Sequence, residues 1–204
     1  VLFQKNQSIG GIAFILSLSV LNRFFEILKW QNLVGFIHKI SLGEATKQVL
    51  GAVTDRTSEA KKVTFKMAAL IKSILNRAKV NGKVTFFHEL DNTLYSVTSD
   101  TFIGKVYKDF GAVNISDAAS GADNSGYPQL SAEYLLKSDP QVIFLADAQY
   151  GVTADSVSKR AGWSQISAVK NKKIVELPAD VPSRWGPRLV DFYKLIGASL
   201  AKVS

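Results

Sequence analysis

Three short stretches of the 204-residue chain hold the side chains best suited to grip a small molecule. The first is Glu89-Leu90-Asp91-Asn92-Thr93-Leu94-Tyr95-Ser96, where Glu89, Asn92 and Tyr95 put a carboxylate, an amide and a phenol into one loop. The second is Tyr127-Pro128-Gln129. A phenol offers a flat apolar face and a polar tip, suited to a large conjugated or chelate ligand. Read by itself, Tyr127 is a surface aromatic in a loop. The third is Ser183-Arg184-Trp185-Gly186-Pro187-Arg188. The Arg184 guanidinium can hold a carboxylate or catecholate oxygen bidentately or stack on a ring, and it can equally pair with Asp180 or Asp191. Trp185 can stack beside it. Arg188 follows Pro187 at a helix start, where the dipole disfavours a cation, which calls for a carboxylate partner or a ligand.

The remaining chemistry is limited by absences from the sequence. Neither the Walker spacing nor GxGxxG occurs, so no glycine loop cradles a phosphate. His88-Glu89-Leu90-Asp91-Asn92 lacks the second histidine of a zinc-binding HExxH, and two histidines, His38 and His88, are too few for a histidine-rich metal site. There is no GxSxG nucleophile elbow. With no cysteine, disulfides, iron–sulfur ligation and thiolate zinc sites are excluded. An enzyme would have to work with carboxylates such as Glu89 and Asp91. The formal charge is +8, but the lysines are scattered and no block of five basic residues occurs. That pattern reads as a solvated surface, with attraction of anionic ligands or of nucleic acid as the alternatives.

These loops need strands and helices to hold them. Val142-Ile143-Phe144-Leu145-Ala146 is a continuous apolar run, the mark of a strand covered on both faces. Lys83–Leu90 and Ile174–Leu177 read as further strands, with Ala112–Ile115 a short extended piece. Ligands in open α/β sheets gather outside the carboxyl ends of the strands, where His88-Glu89 and the Asp147–Thr153 loop fall. Asp100-Thr101 and Ser131 are helix caps, Gly111 and Asp139-Pro140 are stops, and Glu133 lies in a first turn beside the positive end of the dipole. Val63, Met67, Leu70, Ile71, Ile74, Leu75 and Ala78 make one helical stripe, with Asp55-Arg56-Thr57-Ser58 as cap candidates. Leu189, Phe192, Tyr193, Ile196, Leu200 and Val203 make another. Trp163 reads as a packing residue. Alternating strands and helices imply an α/β fold: a Rossmann-like lobe with a mainly parallel sheet flanked by helices.

Three motifs in order, Glu89–Ser96, the Tyr127–Glu133 "YPQLSxE" start with its "DPxVIF" strand, and Ser183–Arg188 before an amphipathic last helix, resemble the substrate-binding proteins of iron-siderophore, haem and cobalamin ABC importers. The resemblance runs from about Leu42 to Ser204 and implies the second lobe of such a protein. It divides the chain into a helical linker at 41–82 and a carboxy-terminal binding lobe at 83–204. It implies that Tyr127 faces the ligand, that Arg184 contacts it, and that Glu133 sits on the outer rim and pairs with arginines of the membrane permease. By the same token the protein is not an enzyme and has no resident cofactor. Its ligand is a ferric siderophore, haem- or cobalamin-like metal chelate, its partner an ABC permease rather than nucleic acid, and its place exported, periplasmic or attached to the cell surface. The alternatives are a chelatase-like enzyme on the same fold and a truncated copy that no longer binds.

Residues 1–40 stand apart. Gly10–Leu21 is an apolar run too short to span a bilayer, and Lys5 before it gives the outline of a signal peptide without a cleavage site. The expectation here is a helical segment, a remnant or replacement of the first lobe.

Overall fold

The computed structural model describes residues 48–78, 80, 83–119, 125–179 and 186–203. All belong to the second of the two units into which the chain divides, Lys47–Ser204. The expectations for residues 1–40 and for Arg184 and Trp185 lie outside the described residues.

The framework is a four-stranded parallel sheet of β1 (Thr85–Glu89), β2 (Val113–Asn114), β3 (Val142–Leu145) and β4 (Ile174–Glu176), in the order β2-β1-β3-β4. β1 and β3 pair at the centre with Phe86 opposite Val142 and Glu89 opposite Leu145. All four residues of β3 are buried, as its unbroken apolar run requires. Side chains alternate across a strand, so adjacent residues feed two separate cores. Phe86, Val142 and Phe144 join one cluster with Tyr107, Phe110, Phe192 and Ile196. Phe87, Ile143 and Leu145 join the other with Leu130, Leu135, Val157, Trp163 and Ile166. Each large apolar side chain so enclosed contributes about 1.5–3 kcal/mol relative to exposure.

The first face is covered by α1 (Thr57–Arg77), α2 (Phe102–Asp109) and α6 (Leu189–Leu200). The second is covered by α3 (Ala132–Ser138), α4 (Ala154–Ser158), the tight turn Trp163–Gln165 and α5 (Ser167–Lys170). In α1, Met67 and Ile71 are buried and Ile74, Leu75 and Ala78 pack on the same cluster. Val63 and Leu70, on the margin of the expected stripe, are exposed, and Thr64 is buried instead. Its hydroxyl donates to the carbonyls of Ala60 and Lys61, which removes the cost of enclosing it. The cap candidates fare unevenly. Thr101 and Ser131 accept from the N–H groups of Gly104 and Tyr134. For α1 the capping residue is Arg56, whose side chain makes no capping bond. Gly111, at φ 85°, takes the left-handed conformation that stops α2.

Two extended segments attach the exposed loops to this framework. Residues 94–98 run antiparallel to 126–130, with the N–H of Ser96 donating to Pro128, that of Thr98 to Gly126 and that of Leu130 to Leu94 at 2.8–3.0 Å. A buried polar cluster pins them to β2. Asn114 Nδ2 donates to the Val97 carbonyl at 2.7 Å, and the Ser116 and Ser96 hydroxyls meet at 2.6 Å. Gly104 lets α2 approach this segment, because a Cβ there would lie 1.9 Å from the Thr98 carbonyl oxygen. A Gly104→Ala substitution therefore forces backbone apart, and urea denaturation should show a loss of about 3 kcal/mol.

Candidate functional site

The loops that leave the carboxyl ends of β1 and β3 form the candidate site. After β1 the chain makes a turn in which Asp91 accepts from the Thr93 N–H and hydroxyl, and Leu94 enters the left-handed region at φ 69°. This turn exposes Asn92 and leads into Tyr95, which is 40% exposed. Tyr95 bridges to Gln129, whose amide Nε2 reaches back to the Thr93 carbonyl at 3.0 Å. Two residues before Gln129 stands Tyr127, 49% exposed. The structure thus brings Asn92, Tyr95 and Tyr127 onto one pair of joined loops. Beyond β3 a short turn, Ala148–Tyr150, carries a third tyrosine, Tyr150, which is 79% exposed. Arg188 is exposed at the head of α6. The shared opening expected for Tyr127 and Arg184 involves a residue outside the described set. Asp191, one partner considered for Arg184, pairs with Lys194 at 3.1 Å. Glu133 is exposed in the first turn of α3, as a docking carboxylate or a dipole partner would be.

Glu89 lies elsewhere: beneath the loops, with its side chain wholly buried. Arg160 Nη1 and Nη2 donate to its two carboxylate oxygens at 2.7 and 2.6 Å, a bidentate fork. The same guanidinium lies over the Trp163 ring, 4.6 Å from its centroid. Asp147, the first residue after β3 and Ala146, is 2% exposed. Among the described residues no well-formed hydrogen bond satisfies either of its carboxylate oxygens, and the N–H close to them is that of its own backbone. What lies against it is the carboxyl of Glu89, within hydrogen-bond reach. Burial pushes both carboxyls up; Arg160 pulls Glu89 part of the way back, and for Asp147 its own backbone N–H and the hydrogen bond with Glu89 do so ahead of Arg160. Glu89 therefore serves as an internal counter-ion rather than as a group presented to solvent.

His88, on the opposite face of β1, is also enclosed. Its Nδ1 shares a 2.8 Å hydrogen bond with the Tyr107 hydroxyl, while Nε2 has no partner. Burial lowers its pKa to about 3, so the ring is neutral at physiological pH. Among the described residues no group of three or more His, Cys, Asp or Glu could hold a metal ion, and no helix is long and apolar enough to cross a membrane.

Sequence reading missed Tyr150, Asp147 and Arg160 as members of the site. For Tyr150 a signal exists: an aromatic before Gly151 in a loop already placed at a strand's carboxyl end. For Arg160 there is none, since its partner stands 71 positions earlier. Removing the guanidinium while keeping a long apolar stem, in Arg160→Met, leaves Glu89 buried without its cation. The expected loss is about 3–5 kcal/mol near neutral pH. Because Glu89 can then be enclosed only with a proton, the penalty should shrink as the pH is lowered through the ordinary carboxylate range, read by denaturation at several pH values.

The sequence model of the periplasmic binding protein family matches residues 34–181. An uncharacterized ABC transporter substrate-binding lipoprotein of Bacillus subtilis is 29% identical over 158 residues, 75% of this chain and 48% of that protein. A vitamin B12-binding protein of Vibrio cholerae is 31% identical over 113 residues, 54% of this chain and 38% of the relative. Among solved structures, a possible iron-binding (periplasmic solute-binding) protein of Staphylococcus epidermidis superposes with a TM-score of 0.67 at 26% identity, covering 78% of this chain and 62% of the other. The chain spans half or less of the length of these curated relatives.

Proposed function

The chain belongs to the periplasmic binding protein family, and from that premise we propose that it supplies the second lobe of an ABC-importer substrate-binding protein that captures a metal chelate. The ligand on this reading is a ferric siderophore or a related haem- or cobalamin-like chelate, delivered to a membrane permease outside the cytoplasm. The observation that carries it is the set of three exposed tyrosines, Tyr95, Tyr127 and Tyr150, on loops at one end of the sheet. A single exposed ring is ordinary, but several rings on neighbouring ligand-facing loops are an apolar surface available for a flat partner. Each ring that stacks on a macrocycle or a chelate exchanges water contact for an apolar face while its hydroxyl stays wet. The printed names of the relatives, one a lipoprotein of a transporter and one a B12 binder, support the same class.

The catalytic alternative rests on Glu89 and Asp91. Glu89 is occupied by Arg160 and Asp91 by Thr93, an arrangement that favours a scaffold role for both. The proposed contacts are Tyr127, Tyr95 and Asn92 with Tyr150 added, together with Arg188 and, from the sequence motif alone, Arg184 and Trp185. Glu133 is proposed as the carboxylate that orients docking to the permease. Fluorescence titration of the folded chain with a ferric siderophore, haemin and cyanocobalamin tests this reading. We expect saturable quenching with one of them, weakened about tenfold in Tyr127→Ala, the ~1.4 kcal/mol of one lost stack. No saturable change with any of the three would overturn it.

A further inference from the structure

Asp147 and Glu89 stand at the start of the two loops that carry Tyr150 and Tyr95, and the structure gives them one cation between them. Arg160 directs both of its terminal nitrogens to Glu89. Among the described residues no cation and no donor from another element satisfies the Asp147 carboxylate, which is 2% exposed and has only its own backbone N–H and the carboxyl of Glu89 beside it. The other charged groups around it offer no relief. Asp91, on the loop after β1, is a further carboxylate whose charge opposes that of Asp147. Glu176 on β4 is engaged by the Ala154 N–H at 2.8 Å. His88 projects from β1 toward Tyr107 on the other face of the sheet. Two ionised carboxylates in contact repel; a carboxyl that meets only another carboxylate is satisfied by keeping its proton and donating it.

We propose that Glu89 and Asp147 form a proton-binding site, in which one shared proton seats the turn at 147–151 and its loss releases that turn together with Tyr150. With the proton in place, Asp147 donates to Glu89, Glu89 remains the counter-ion of Arg160, and the cluster is electrically neutral. The Tyr150 N–H then bonds to the Asp147 carbonyl at 2.8 Å, and Gly151, at φ 89°, closes the turn on Ala148. When the proton leaves, the Asp147 carboxylate faces Glu89 and Asp91 with no cation and only its own backbone N–H beside it, and its exit to water carries the turn with it. Burial, which raises the proton affinity of both carboxyls, works in the same direction. Stability gained from the proton is complete at acid pH and is lost as the pH rises through the folded-state titration. The link to ligand capture rests on the functional reading above, because Tyr150 belongs to the proposed binding surface.

Carbon-13 NMR of the Asp and Glu carboxyls in the ligand-free chain, recorded together with the tyrosine ring signals from acid to mildly alkaline pH, tests the site directly. The expected result is that Asp147 titrates above the ordinary carboxylate range and that the Tyr150 ring signal moves with the same midpoint. Asp147→Asn, whose amide donates to Glu89 at every pH, should hold Tyr150 at its acid-pH position throughout. Titration of Asp147 in the ordinary range, or a Tyr150 shift that persists in Asp147→Asn, would overturn the proposal. Should the Asn variant not fold, the wild-type carboxyl signal still decides. Titration with a ferric siderophore, haemin and cyanocobalamin on either side of that midpoint separates the two ideas. For whichever binds, affinity at least tenfold lower on the alkaline side supports the coupling and equal affinity on both sides overturns it, while absence of binding by all three counts against the functional reading and the carboxyl signal still decides the proton site.

Discussion

A carboxylate taken fully out of water at the end of the central strand has to be met, and the way Glu89 is met organises the site end of this molecule. An unpaired ion in that position would be expensive, whereas a bidentate guanidinium returns most of what water supplied. Arg160 comes from the segment after α4, so the pair ties the end of β1 to the far edge of the second core. Trp163, 2% exposed, gives the guanidinium a flat apolar floor and fixes its direction. The loop that begins at Glu89 therefore starts from a rigid position. Rigid starting points matter for binding, because a ring that is already placed loses less freedom when a ligand arrives.

The same logic explains how exposed loops stay ordered on a small sheet. Residues 94–98 and 126–130 lie outside the sheet but satisfy each other's backbone groups, and Asn114 and Ser116 secure them from below with side-chain bonds. Buried polar groups of this kind are costly only when left unmatched. Here each has a partner, and the result is a support whose upper surface is free to carry tyrosines. The outcome is a division of labour: apolar packing below, hydrogen bonds in the middle, aromatic rings above.

Much of the framework could be read from sequence because its signals are local. The apolar run Val142–Leu145, the caps at Thr101 and Ser131 and the stop at Gly111 each depend on residues within a turn or two of one another. The margin of α1 could not be read, because whether Val63 or Thr64 faces the core depends on where α6 lies, not on the spacing of α1 itself. The site divides along the same line. Tyr95 and Tyr127 were legible as aromatics in loops flanking recognisable motifs. Glu89 looked like a ligand contact because a carboxylate at a strand end is usually solvated, and the residue that encloses it, Arg160, is remote in the chain. Asp147 was invisible for a related reason: its significance is burial against another carboxyl without a cation, which only the folded structure reveals.

Composition also misleads about the local field. The chain is strongly basic, and a net charge of +8 suggests attraction for anions. Yet charges separated by more than about 8 Å are largely screened at physiological ionic strength, so a ligand responds to what stands next to it. Around the loops after β1 and β3 those neighbours are Asp91, Asp147 and Glu89, with Arg160 already engaged. The lysines of α1, by contrast, stand on its outer side, exposed, away from this rim. On the β1–β3 side of the candidate site, then, the formal positive charge of the chain has no local counterpart. What those loops present instead is the faces of Tyr95, Tyr127 and Tyr150, and on the proposed reading a ligand meets them with an apolar or donor-bearing face.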